Sequence, residues 1–227
     1  MKYRERFVRL IDQVRACPGL VLEKATLEPP TPPGEIARAC AMAGAAWPRG
    51  MTALYTELGG VDIRFRSART RIVKHPGGSE DHFDSEPSGS IRIPPVGTIW
   101  DVAELEDVLW FDHNPVDHPL RKLRPIDWFG PEGCAVLHVD GPDAEPLVHY
   151  HYCGEILIPT GLSYFDWLEA LFVSRGVSYW ILAHTGPLAS LDPSFVKHFT
   201  EMAKLFPDYD PAKSSPPTGR PEINVLD

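Results

Sequence analysis

Residues 123–152, "LRPIDWFGPEGCAVLHVDGPDAEPLVHYHY", decide how this chain folds. Within them "LRPIDWFG", "CAVLHVD" and "PLVHYHY" are rich in β-branched and aromatic residues, and Gly, Pro and Asp separate them. The first kind of residue suits the pleated surface of a sheet, and the second suits turns. The spacing predicts three short strands in succession, the last two joined by a hairpin-like "GPDAE" connection.

The third strand runs into "VHYHYCGEIL" (148–157), where His149, His151 and Cys153 fall on every second residue. Alternate residues of a strand share a face. Neutral imidazoles and a thiolate are good zinc ligands. Alternate side chains also stand about 7 Å apart, which suits two ligands from one strand and strains a third. His138, in the neighbouring run, is placed to help across the hairpin. The preferred reading is an ordinary strand without metal or other cofactor. In it Val148, Tyr150 and Tyr152 pack inward, and His149 and His151 lie more exposed. A metal-dependent hydrolase using His149 and His151, with Cys153 or His138, is the alternative.

Helical periods flank the strands. "YRERFVRLIDQVRA" places Phe7, Leu10, Ile11 and Val14 on one stripe. "LEPPTPPGE" reads as a stiff approach to a helix from Glu35 to about Gly44, with Ile36, Ala39 and Ala43 on one side. A third helix opens at Pro48, a good first helical residue, and carries Met51, Leu54, Tyr55 and Leu58. "VDIRFR" alternates as a half-buried strand, residues 74–90 read as a long exposed loop, and "IRIPPVGTIW" holds one or two short strands. "DVAELEDVLW" fits a short helix or a strand. "SYFDWLEALFVSRG" (163–176) is a helix capped by Ser163, with Phe165, Leu168, Leu171 and Phe172 inside. "PSFVKHFTEMAKLF" (193–206) is another, with Phe195, Phe199, Met202 and Phe206 on its inner face. Helices, then a run of antiparallel strands, then helices make an α+β plan rather than an alternating parallel one. A single domain is expected over residues 1–206, with residues 207–227 a Pro-rich, loose tail.

The chain has 227 residues and a formal net charge of −9. Residues 1–78 carry 13 Lys and Arg against 7 Asp and Glu, residues 79–117 carry 1 against 10, and residues 118–227 carry 8 against 14. An acidic body repels phosphates, which argues against a nucleic-acid binder, and it favours a basic partner through electrostatic steering. The four cysteines form no C-x-x-C pair, and no apolar run approaches the roughly 18 residues needed to span a membrane. The expectation is a soluble cytoplasmic protein with reduced thiols. Oligomeric state is not legible.

Motifs with a built-in mechanism are missing from the sequence. There is no G-x-S-x-G, no phosphate-binding G-x-x-x-x-G-K-[ST] and no H-E-x-x-H. Cys134 reads as a small buried residue entering a strand, and a Cys/His dyad there stays open. Glu80, Asp81 and Asp84, near His82, read as a solvated loop, since a catalytic pair needs rigid placement.

The segment "EIARACAMAGAAWPRGMTALYTELGGVDIRF" (35–65) resembles the opening signature of the SMI1/KNR4 (SUKH) superfamily. Glu35, Ile36, Ala39, Gly44, Pro48, Leu54, Tyr55, Gly59 and Gly60 match. Cys40, Trp47 and Leu58 depart, standing where the family often has Glu, Leu and Asn. "LRPIDWFGPEGCAVLHVD", "PLVHYHY" and "SYFDWLEALF" are similar to its later blocks, in the same order, so the resemblance spans roughly 35–174. It implies an α+β domain with helices packed on a twisted antiparallel sheet, acting as a non-enzymatic binding module. Many bacterial members resemble immunity proteins that neutralise toxin domains, often nucleases; others are regulatory scaffolds. An acidic face suits occlusion of a basic nuclease site. The acidic contacts this suggests are Asp112, Asp117, Asp140, Asp143 and Glu145.

Overall fold

The computed structural model describes residues 2–69, 72–74, 80–82, 87–101, 119–129, 133–152, 156–186, 193–206, 208–209 and 224–225. The three strands expected in residues 123–152 are present as β6 (Leu123–Trp128), β7 (Gly133–His138) and β8 (Leu147–Tyr152). They form an antiparallel meander that continues into β9 (Ile156–Ser163) and ends on β10 (Asn224–Val225), in the order β10-β9-β8-β7-β6. Pro125 is tolerated because β6 is the edge of this sheet, where a missing N–H breaks no ladder bond.

A smaller sheet precedes it. β1 (Leu20–Leu27), β2 (Val61–Ser67) and β5 (Ser88–Ile93) pair antiparallel in the order β1-β2-β5. Between β2 and β5, β3 (Ile72–Lys74) and β4 (Glu80–His82) pair with each other. Residues 74–90 are expected from the sequence to be one loop; they contain the last residue of β3, all of β4 and the start of β5 instead.

The helices are α1 (Tyr3–Ala16), α2 (Pro33–Met42), α3 (Met51–Glu57), α4 (Val96–Trp100), α5 (Tyr164–Ser174) and α6 (Pro193–Leu205). Short 3-10 turns cover Pro119–Lys122 and Trp180–His184. With two main antiparallel sheets, a two-stranded ribbon of β3 and β4, and helices packed on the main sheets, the protein is α+β. α1 buries the four residues of its predicted stripe. α3 begins at Met51 rather than Pro48, because Gly50 is left-handed (φ 89) and interrupts the helical path. "VGTIW" is α4, not a second strand. In α5 the Ser163 hydroxyl accepts from the Asp166 N–H as expected, but Tyr164, Trp167 and Ala170 join Leu168 and Leu171 inside, while Phe165 and Phe172 are only half-buried. On α6, Phe199 and Met202 are buried, as is Phe206 just beyond it; the Phe195 side chain lies outside the described residues.

The two sheets meet at β5 and β6 through side chains. The Arg92 N–H donates to Asp127 Oδ1 (2.6 Å), and Ser90 Oγ and Arg92 Nε both donate to the Trp128 carbonyl. One core runs from α1 and the small sheet to α5, joining Phe7, Met51, Tyr55, Ile63, Ile91, Trp100, Leu137, Val148, Trp167 and Leu171. A second cluster of Leu120, Leu123, Cys134, Val136 and Leu157, with Trp128 against it, lies on the far face of the larger sheet. The expectation of a loose tail fails where that tail is described. Tyr209 is buried, and β10 pairs with Ile156 and Leu157. No helix among the described residues is long and apolar enough to cross a membrane.

Candidate functional site

The histidine face was the first candidate. β7 and β8 pair with Cys134 opposite His151, Val136 opposite His149 and His138 opposite Leu147. Pleat alternation therefore gathers His138, His149, His151 and Cys134 on the far face of the sheet, away from Tyr150 and Val148. Cys134 Sγ lies 3.8 Å from His151 Nδ1, and the His138 and His149 rings meet edge-on with centroids 5.1 Å apart. His149 Nδ1 donates to the Leu147 carbonyl at 3.2 Å, so that nitrogen carries a proton. His138 Nδ1 is 3.4 Å from Asp140 Oδ2.

This face is not exposed. His149 is 9% and His151 3% accessible, which overturns the expectation for both; Tyr152, expected inside, is only half-buried. The reason is position: β8 is the middle strand of five, flanked on this face by Cys134 and Val136 of β7 and by Leu157 of β9, which stands opposite His151, and Leu120 packs against the same apolar cluster. A strand buried on both faces loses the inside-outside meaning of its alternation.

Burial also sets the chemistry. It pushes the His151 pKa down to about 4 and lowers that of His149, where the Leu147 carbonyl opposes it. The His138 pKa falls for the same reason, against the pull of Asp140. The Cys134 thiol is pushed far up by burial, with the Asp127 carboxyl adding to the effect. The pair at neutral pH is thus a thiol beside a neutral imidazole. A nucleophilic cysteine needs the opposite, a thiolate favoured by a cationic neighbour. Among the described residues no three His, Cys, Asp or Glu side chains are grouped to hold a metal; Cys153 lies outside those residues.

The acidic contacts fall elsewhere. Asp140, Asp143 and Glu145 are all exposed on the loop between β7 and β8. Asp140 faces His138, and Glu145 Oε1 accepts from the Arg49 N–H at 3.0 Å, bracing the loop against the approach to α3. Asp143 makes no side-chain hydrogen bond among the described residues. Leu147, 45% accessible, follows them. Asp112 and Asp117 lie outside the described residues, as does Asp84; of Glu80, Asp81 and His82 only the backbone is described.

Two features escaped the sequence reading. "LEPPTPPGE" walls a cleft of about 430 Å³, in which Pro29, Pro32 and Pro95 stand beside the carboxylates of Glu28, Glu35 and Asp101 and the guanidinium of Arg38, 3.9 Å from Glu35. The sequence signal was an acid at each end of that proline run. The second is Asp127, wholly buried at the seam between the sheets. Its signal was an acid inside the apolar run "PIDWF". Comparison of the chain with protein-family models, with curated proteins and with solved structures gave no match.

Proposed function

We propose that this chain is a non-enzymatic protein-binding domain of the immunity type, which neutralises a toxin domain, a nuclease for preference, by covering its active site. The observation that carries the reading is the braced β7–β8 loop, which presents Asp140, Asp143 and Glu145 to solvent. Carboxylates on a held loop steer a basic partner and lose little freedom when it arrives. A nuclease site holds phosphates and is basic, so it is complementary to such a loop. The resemblance over residues 35–174 supports the immunity class, and the neutral, sealed Cys134–His151 pair speaks against a hydrolase built on it.

The test is association with the product of the gene adjacent to the one for this chain, followed by stopped flow at rising salt. A triple variant, Asp140→Asn, Asp143→Asn and Glu145→Gln, is expected to associate about tenfold more slowly at low salt and to lose most of the salt dependence. Failure of that product to bind the wild-type chain would remove the immunity reading. Stoichiometric zinc in untagged protein, lost in a His149→Ala/His151→Ala variant, would replace it with the hydrolase.

A further inference from the structure

A cleft of about 380 Å³ runs between α1 and the C-terminal end of α5, lined by Arg6, Arg9, Leu10, Gln13, Phe172 and Val173, with Arg175 and Asp208 at one end. Its cations are in different states. Arg6 is committed: both its terminal nitrogens donate to Glu169, and its guanidinium lies 3.9 Å over the Phe172 ring. Arg9 is exposed, and neither it nor Gln13 makes a side-chain hydrogen bond among the described residues.

Arg175 is the unusual member. It ends α5 in the left-handed conformation (φ 56), which favours glycine over a residue with a Cβ. Its side chain is 6% accessible and lies against Phe206, 4.6 Å from the ring centroid. Nη2 donates to Asp208 Oδ2 at 2.6 Å, while the buried Nε has no hydrogen-bond partner among the described residues. Nε and Nη2 form one edge of the guanidinium, the edge that takes both oxygens of a carboxylate side by side. Asp208 satisfies half of that edge. Its own side chain is 74% accessible, so water replaces its contact when it swings away.

We infer that this cleft is a binding site for a carboxylate carried on a small apolar body, and that Asp208 is a tethered occupant which such a ligand displaces. The incoming carboxylate takes the Nε–Nη2 edge in the two-pronged geometry that Asp208 does not reach. Arg9 supplies the remaining charge and Gln13 a donor amide. Leu10, Phe172 and Val173 provide the apolar wall, and the volume is that of a small-molecule site, which begins at about 300 Å³. This site is separate from the acidic loop and does not rest on the immunity reading.

The experiment is calorimetric titration of the full chain with benzoate, with inorganic phosphate as comparator, and with the Arg175 Nε–H resonance followed by NMR. Benzoate is expected to saturate in the range of about 1 mM, as a ligand of its size does, and to shift that resonance. Arg9→Ala, at an exposed position, is expected to weaken binding about tenfold, and Asp208→Asn to tighten it severalfold by removing the charged competitor. Arg175→Lys, which keeps the charge and loses the fork, is expected to abolish the signal. Absence of saturable benzoate binding, or equal affinity in wild type and Arg9→Ala, overturns the site. Phosphate binding as tightly as benzoate overturns its assignment to carboxylates.

Discussion

Asp127 has no access to water, and its Oδ2 has no hydrogen-bond partner among the described residues. Burial pushes its pKa up to about 7, against the Arg92 N–H and guanidinium, which favour the ionised form. An unfolded aspartate ionises near 3.9, so the folded state holds its proton over the interval from about 4 to about 7. Stability from this group is full below that interval and falls as pH rises through it, by up to about 4 kcal/mol. His151 and His184 act with the opposite sign in an overlapping window. Burial holds both folded pKa values at about 4, so the unfolded chain takes up protons first as pH drops below about 6.5 and stability falls toward pH 4. The wild-type curve therefore mixes the two effects, and a difference isolates one. Urea unfolding of Asp127→Asn and wild type from pH 4 to 8 is expected to show the variant gaining a few kcal/mol relative to wild type as pH rises. Parallel curves would mean that Asp127 ionises normally. Site-resolved alkylation gives a second residue-scale check. Cys40 is exposed and Cys134 buried with its thiol kept protonated, so native protein should label at Cys40 well before Cys134.

At the level of elements, the turn after α5 fastens β5. The Ser90 N–H donates to the Gly176 carbonyl and the Ser178 N–H to the Ser88 carbonyl, so the strand edge beside β6 is partly covered by this turn. Gly176 has φ 65, and a Cβ there would stand 2.2 Å from Ile91 Cγ1. Gly161 in β9 has φ 72 but nothing within 4 Å of such a Cβ. Gly161→Ala thus carries only backbone strain, about 1 kcal/mol, whereas Gly176→Ala adds overpacking and should cost about 2–4 kcal/mol. Equal losses in denaturant midpoints would show that Ile91 yields freely. Legibility in the sequence followed the same division between local and distant causes. α1, β2, β6, β7, β8, α5 and α6 each carry their own period, cap or turn, and the sequence shows them. β1 does not, because it is an edge strand whose "EKAT" is all exposed and whose register slips between Leu22 and Lys24. β9 hides behind Pro159 and Gly161, residues that read as a turn. The histidine face misled because its apolar neighbours, Leu123 opposite His138 and Leu157 opposite His151, come from other strands; a pattern within one strand carries no record of what flanks it in the sheet. Of the acidic loop, composition revealed the charges, while the Arg49 brace required the fold.

For the molecule as a whole, the open question of scale is where the domain ends. Sequence composition puts the boundary after Phe206, since residues 207–227 are rich in proline and polar residues. The packing puts it later. Tyr209 lies in the main core at 4% accessibility, Asp208 holds the buried Arg175, and Asn224 and Val225 pair with Leu157 and Ile156 at the edge of the larger sheet. Each contact joins the end of the chain to a different structure: Arg175 at the end of α5, the core beneath it, and β9. A chain stopped after Phe206 therefore exposes the core around Tyr209, leaves Arg175 without its carboxylate and uncovers an edge strand. Burial of one aromatic side chain alone stabilises by about 1.5–3 kcal/mol, and loss of a partner to a buried charge adds to that. The truncated chain should unfold at a clearly lower urea concentration than the full one, by about 3–5 kcal/mol, and Tyr209→Ala in the full chain should reproduce a large part of the loss. If the truncated protein matched the full chain in both midpoint and slope, the last segment would be an appendage, and the domain would end where its composition changes.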